Sequence, residues 1–346
     1  MPLADTRELS SNQVTAGSPG ENTHGESDML RRTFAATAAA TLLVGGALAG
    51  CSNDSGDDFA GSSGGDHTAR FVQQPWADLV VETQIAMQIL DKLGYQTSTN
   101  EVSVPLAAQA ISDDQADAYL GNWWPSQKDT FQPVLDKGKA EVVGTLLTGT
   151  EYAPAVPGYV TDELGVKSLA DLDKYADKFG KEILGIEPGS PGNATIQKAI
   201  DKDAYGLGDW KLTASSTEAM LAEVERRAAK KQPVVFLGWS PHWMTLEWNL
   251  TFLDDPEHVW AGAGEIRTLA RAGLDTDDPN LKKFLSNIKV DTKTASEFIN
   301  QVDKEGKKAE DIASAWIKAN PDTVKEWLNG VTTSDGDPAA DAVLKS

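Results

Sequence analysis

Cysteine is nearly absent: Cys51 is the only one in 346 residues, so no disulfide can form within the chain. Positive charge is short as well. The 31 Lys and Arg face 52 Asp and Glu, a net charge of −21, and the basic stripe that a nucleic-acid binder needs is missing. Histidine is scarce, and His24, His67, His242 and His258 show no metal-ligand spacing. Gly189-Ser190-Pro191-Gly192 lacks the Lys-Ser/Thr of a nucleotide-binding loop and reads as a turn. No metal, cofactor or nucleic acid is therefore expected. After Cys51 no apolar run reaches the roughly 20 residues of a membrane-spanning helix.

The chain does carry an export signal. Met29-Leu30-Arg31-Arg32 is a basic start, Phe34 to Leu48 is apolar, and Leu48-Ala49-Gly50-Cys51 has the small-residue pattern of a bacterial lipoprotein cleavage site. This predicts a signal peptide over residues 1–51, with 1–28 a doubtful extension ahead of a good start at Met29. Cys51 then becomes the new N-terminus, and its acyl chains tether the protein to the outer side of the cell membrane. Arg31-Arg32-Thr33-Phe34 fits a twin-arginine signal, and ordinary secretion stays open. Residues 52–68, rich in Ser, Gly and Asp, read as a flexible linker.

From Arg70 the pattern is α/β. Arg70 to Val72 reads as a strand, Asp78 as a helix N-cap, and Val81, Ile85, Ile89 and Leu93 as one helical face ended by Gly94. Glu101 to Pro105 predicts a strand, Leu106 to Ile111 a helix and Ala116 to Gly121 a third strand. Such a β-α-β-α-β run points to a parallel sheet with ligands at the strand carboxyl ends. Glu141 to Leu147 and Ala153 to Val160 read as strands joined by Gly149-Thr150-Glu151-Tyr152, the first crossover into a second lobe. There, Ser168 and Ser216 open helices, Ile183 to Ile186, Leu212 to Ala214 and Val234 to Leu237 are strands, and Ala194 to Ile200 is a helix. From Pro279 onward the chain reads mainly helical. The expected division is lobe one over 69–150 and 254–333, lobe two over 151–253, and a C-terminal tail over 334–346, frayed from Ser334 to Asp341.

Ten tryptophans stand out, and two sit in matched settings. Leu120-Gly121-Asn122-Trp123-Trp124-Pro125 and Leu237-Gly238-Trp239-Ser240-Pro241-His242-Trp243 each end an apolar strand in Leu-Gly, present an indole, and stop at proline. With Trp76 and Tyr152 they supply aromatic faces near strand ends. Such faces hold a cation electrostatically, by about 2 kcal/mol or more per ring when desolvated. A quaternary ammonium, which has no N–H to donate, is the natural occupant. An extracellular glycosidase, with tryptophans on sugars and paired carboxylates, and a structural surface lipoprotein are the competing readings.

Three segments carry a family resemblance: Leu120-Gly121-Asn122-Trp123, Gly185-Ile186-Glu187-Pro188-Gly189 with Gly192-Asn193, and Val235 to His242. Together they resemble the substrate-binding proteins of ABC importers for choline and glycine betaine, the choline-binding members most. The resemblance covers about Arg70 to Val331. It implies a two-lobed α/β periplasmic-binding-protein fold, type II-like, with a ligand cleft between the lobes and no catalysis. Position by position, it implies rings from Trp76 and Trp123 in lobe one and from Tyr152 and Trp239 in lobe two. Trp76-Ala77-Asp78 matches a Trp-x-Asp whose acid engages the choline hydroxyl, and Asn193 matches an asparagine reaching the same end. Trp124 and Trp243 depart from close relatives and are expected at the rim with Asn122 and His242. The implied partners are choline or glycine betaine, an ABC permease and its ATPase, with the receptor a monomer. A carboxylate at Asp78 suits an alcohol better than a second carboxylate. Backbone N–H groups at Gly189 to Asn193 keep glycine betaine, carnitine and proline betaine open.

Overall fold

The computed structural model describes residues 67–260, 264–333 and 335–345. The expected leader, Cys51 and almost all of the expected linker lie outside them. Among the described residues nine strands run in chain order as β1 (Thr68–Gln73), β2 (Gln96–Glu101), β3 (Ala118–Trp124), β4 (Ala140–Val156), β5 (Glu182–Leu184), β6 (Lys211–Thr213), β7 (Val235–Ser240), β8 (Thr251–Phe252) and β9 (Gly264–Arg271). Their order in the sheet is β2-β1-β3-β9-β4-β7-β5-β6, with β8 also on β4. The β2-β1-β3 and β7-β5-β6 pairings are parallel, as the alternating strands and helices predict. The centre is antiparallel, because β9 lies between β3 and β4.

β4 ties the halves together. Gly149 to Tyr152 was expected to be a connection, but the strand runs through it for 17 residues. Residues 140–150 pair with β9, and Glu151 to Ala155 pair with β7. Gly149 absorbs an irregularity in that ladder with a φ of 77°, where a Cβ would be strained.

Two apolar cores flank this strand. One joins Phe71, Ile85, Leu120 and Leu147 to Ile266, Phe284, Phe298 and Trp327. The other joins Val156, Ile183, Phe236 and Leu253. The helix Ala77–Lys92 buries Val81, Ile85 and Ile89 completely, the spacing-four face read from the sequence. It begins two residues earlier than expected. Trp76 is the extended N-cap and its carbonyl accepts the Val80 N–H, so Asp78 falls in the first turn, at the positive end of the helix. The segment Ala339–Leu344, expected to fray as far as Asp341, is a helix that buries Ala339 and Val343 in the first core. At the start of β3, buried Asp117 takes hydrogen bonds from Arg70 and Arg271, at 2.8 Å each from the guanidinium nearest its Oδ1. Burial alone would raise its carboxyl, but those donors outweigh it and hold the group below the usual range.

Candidate functional site

β1 and β3 end close to where β4 and β7 meet, and the side chains at those ends line one shared pocket. Trp76, Trp123, Tyr152 and Trp239 line it together with Ser126 and Gln127. Ile186 and Pro191 complete the wall. Trp123 packs against both cores, and its ring lies 5.8 Å from that of Tyr152 at 51°. Tyr152 and Trp239 are register partners across the β4–β7 ladder, which puts both rings on one face of the sheet. Trp76 reaches across from the first core, its Nε1 donating to Glu187 Oε2 at 3.4 Å. Glu187 is itself fixed, since Oε1 accepts the Thr217 N–H at 2.7 Å. Both prolines after the tryptophan strands, Pro125 and Pro241, follow cis peptide bonds.

Polar contacts brace the rings from behind. The Tyr152 hydroxyl meets Ser190 and the Gly192 backbone at the start of the helix Pro191–Asp201, and burial pushes its phenol well up. A Cβ at position 192 would overlap that hydroxyl, so only glycine fits there. Gln127 was not foreseen. Its Nε2 donates to Gly121 O at 3.0 Å and to the Tyr119 hydroxyl at 3.1 Å, and its Oε1 accepts from Asn122 Nδ2 at 3.1 Å. Tyr119 in turn donates to Gln74 at 2.7 Å. Trp260 was also missed. It stands edge-on to Tyr152 at 5.6 Å and donates its Nε1 to Tyr152 O.

The remaining sequence candidates lie around this space. Asn122 is fully buried in the Gln127 network, and its Oδ1 has no partner among the described residues. Asn193 holds the end of β5: Nδ2 donates to Ile186 O at 2.8 Å and Glu187 O at 3.1 Å, while Oδ1 accepts the Ile186 N–H. Both of its amide hydrogens are used there. Trp124 turns away beneath the Arg267 guanidinium, 4.1 Å from its ring centre. His242 stands edge-on to Trp239 at 5.0 Å, and the Trp243 Nε1 donates to Asp303 at 2.9 Å.

Asp78 lines an adjoining cavity that shares Trp76 and Trp239 as walls. Burial pushes its carboxyl up to about 6, and the charge of Asp303 adds to this against backbone N–H donors at the helix start. Glu82, one turn further along, is raised well above the ordinary value by burial and by Asp78. His242, also in that cavity, is pushed down to about 3 by burial and by Lys304, so it is neutral. No Lys or Arg lines either cavity among the described residues.

Residues 68–319 match the family model described as the substrate-binding domain of the ABC-type glycine betaine transport system. The chain belongs to this family. Its members serve transport and are not enzymes, which removes the glycosidase reading. A glycine betaine/carnitine transport binding protein of Listeria monocytogenes serotype 1/2a (strain 10403S) is 41% identical over 175 residues, 49% of this chain and 57% of that relative. The chain thus matches little more than half the length of that curated relative. Among solved structures, an ABC-transporter choline-binding protein in complex with choline is 34% identical, with a TM-score of 0.77 over 80% of this chain and 96% of that one. Lactococcal OpuAC in its closed conformation with glycine betaine is 28% identical, with a TM-score of 0.68 over 76% and 99%. The two-lobed fold is that of periplasmic substrate-binding proteins. No helix among the described residues is long and apolar enough to cross a membrane.

Proposed function

We propose that this family member captures a quaternary ammonium solute outside the cytoplasmic membrane, choline above all, and hands it to an ABC permease. The observation that carries the reading is the shared cavity of Trp76, Trp123, Tyr152 and Trp239, with rings drawn from both cores. Its wall is almost wholly apolar and presents ring faces, which attract a methylated cation that offers no hydrogen bond. Each desolvated ring contributes about 2 kcal/mol or more, so four together reach roughly the −8 kcal/mol of a micromolar ligand before the cost of closing the lobes is subtracted. Closure then traps the solute by shifting an open–closed equilibrium. Lipid on Cys51 keeps the receptor beside its permease in this reading.

Asp78 supports choline over glycine betaine. Its carboxylate, next to the two tryptophan walls, accepts a hydrogen bond from an alcohol and repels a ligand carboxylate. One feature favours the betaine: the helix Pro191–Asp201 begins at the wall of the ring cavity, through Pro191, and its positive end suits an anion, although the N–H groups of Ser190 and Asn193 are taken by Glu187 O and Ser190 Oγ. Calorimetry with choline, glycine betaine, carnitine and proline betaine on wild type and Asp78→Asn decides between them. We expect the substitution to weaken choline about tenfold and to leave or improve glycine betaine. The reverse order makes a betaine the ligand, and no heat with any of the four sinks the proposal.

A further inference from the structure

Beside the ring cavity, two segments from opposite cores grip each other without lining it. The helix Thr292–Asp303 belongs to the first core through Ala295 and Phe298. Segment 240–248 belongs to the second through Met244, with Trp243 and Trp248 packed on it. Asp303 Oδ2 accepts the Trp243 Nε1–H at 2.9 Å and lies 3.6 Å from His242 Nε2. Lys304 Nζ sits 3.7 Å above the Trp243 ring and 2.9 Å from Glu247 Oε2.

These contacts reach the ligand wall through stacked rings. His242 stands edge-on to Trp239 at 5.0 Å and 4.9 Å from Trp243. Trp243 packs on Trp248 at 5.2 Å, and Trp248 on Phe236 of β7 at 5.7 Å. Neutral His242 accepts the Met244 N–H at Nδ1, which assigns its own proton to Nε2, facing Asp303. A surface ion pair such as Lys304–Glu247 is weak alone. Here it shares Lys304 with a cation–π contact and adjoins an indole held by a carboxylate.

We propose that Asp303, with Lys304, is a positioning residue: it clasps the Trp243 segment across the closed cleft, fixes the strand that carries Trp239, and thereby sets the rate at which ligand leaves. The clasp rests on a ligand being trapped between the lobes but not on which ligand it is.

Stopped-flow fluorescence on the full chain, with choline and glycine betaine as probes, tests it alongside small-angle scattering. Asp303→Ala is expected to raise the dissociation rate about tenfold and leave association nearly unchanged, since the clasp forms only on closing. Asp303→Asn keeps an acceptor for the indole N–H and should stay within about twofold of wild type. Trp243→Phe should match Asp303→Ala, and the double variant should be no worse than either. An unchanged dissociation rate in Asp303→Ala, equal effects of Ala and Asn, or additive effects in the double variant would each overturn the clasp. If neither probe binds wild type, the ligand reading fails, and scattering still decides the clasp. A larger radius of gyration for Asp303→Ala than for wild type supports it, and equal values reject it.

Discussion

The ends of β3 and β7 share a sequence design and differ in what holds them. Each runs through Leu-Gly to a cavity tryptophan and on to a cis proline. Behind Trp123 stands a buried hydrogen-bond network of Gln127, Asn122, Tyr119 and Gln74. Behind Trp239 stand rings, His242, Trp243 and Trp248, tied to the facing lobe through Asp303. Hydrogen bonds fix direction sharply and are costly to leave half-made. Stacked rings tolerate small shifts. The first wall is accordingly a rigid reference, and the second is held in place by closure.

Removing the rings themselves should do most. Trp123→Ala and Trp239→Ala are each expected to weaken choline by about thirtyfold or more in calorimetry, the equivalent of roughly 2 kcal/mol per ring. Equal and small effects at both would break the symmetry on which the comparison stands. Next comes Gln127→Ala, which orphans Asn122 Nδ2 and takes a donor from the Tyr119 hydroxyl and from Gly121 O. It should lower stability by about 2 kcal/mol in denaturant titration and loosen choline about tenfold through Trp123. A fall in stability with no change in affinity would show that the network does not steer the indole.

Protonation should act more gently. The Asp78 carboxyl, raised to about 6, charges more easily beside a bound cation, so protons and cation compete. Choline affinity should be flat above about pH 7 and fall about fivefold by pH 5, with the Asp78→Asn variant insensitive. In stability the sign is the opposite. A carboxyl raised by folding destabilises the protein above about 6, and that penalty fades as pH falls toward the ordinary value near 4. Arg267→Ala, which uncovers Trp124, should change affinity less than twofold, since an exposed cation–π contact contributes about 0.5–1 kcal/mol and lies outside the cavity.

Much of this was legible along the chain because it was local. Leu-Gly-x-Trp flags a strand near its end, although β3 runs on through it to Trp124, the Ser215 to Glu218 stretch marks a helix start by chemistry, and Val81, Ile85 and Ile89 mark a buried face by spacing. What stayed hidden was set by partners far away. Gly264 to Arg271 alternates charged and apolar residues weakly, and only its place between β3 and β4 makes it a central strand. Gly149 to Tyr152 has turn composition, yet pairing on both sides holds it extended. Gln127 and Trp260 lack any local signature, because their roles arise from carbonyls and rings brought in by the fold. Asn193 shows the converse: its motif was visible, but its amide is occupied by the backbone of Ile186 and Glu187.

One strand serving both halves has a mechanical outcome. Pairing changes partner between Thr150, opposite Gly264, and Glu151, opposite Ser240. A pivot at that joint moves each atom in proportion to its distance from it. Tyr152, one residue past the joint, becomes the stationary post. Trp76 follows β1, separated from β4 by two intervening strands, and sweeps the widest arc. If the proposed solute sits among the four rings, opening on that pivot begins at the indole of residue 76, and the phenol is the last ring the solute leaves.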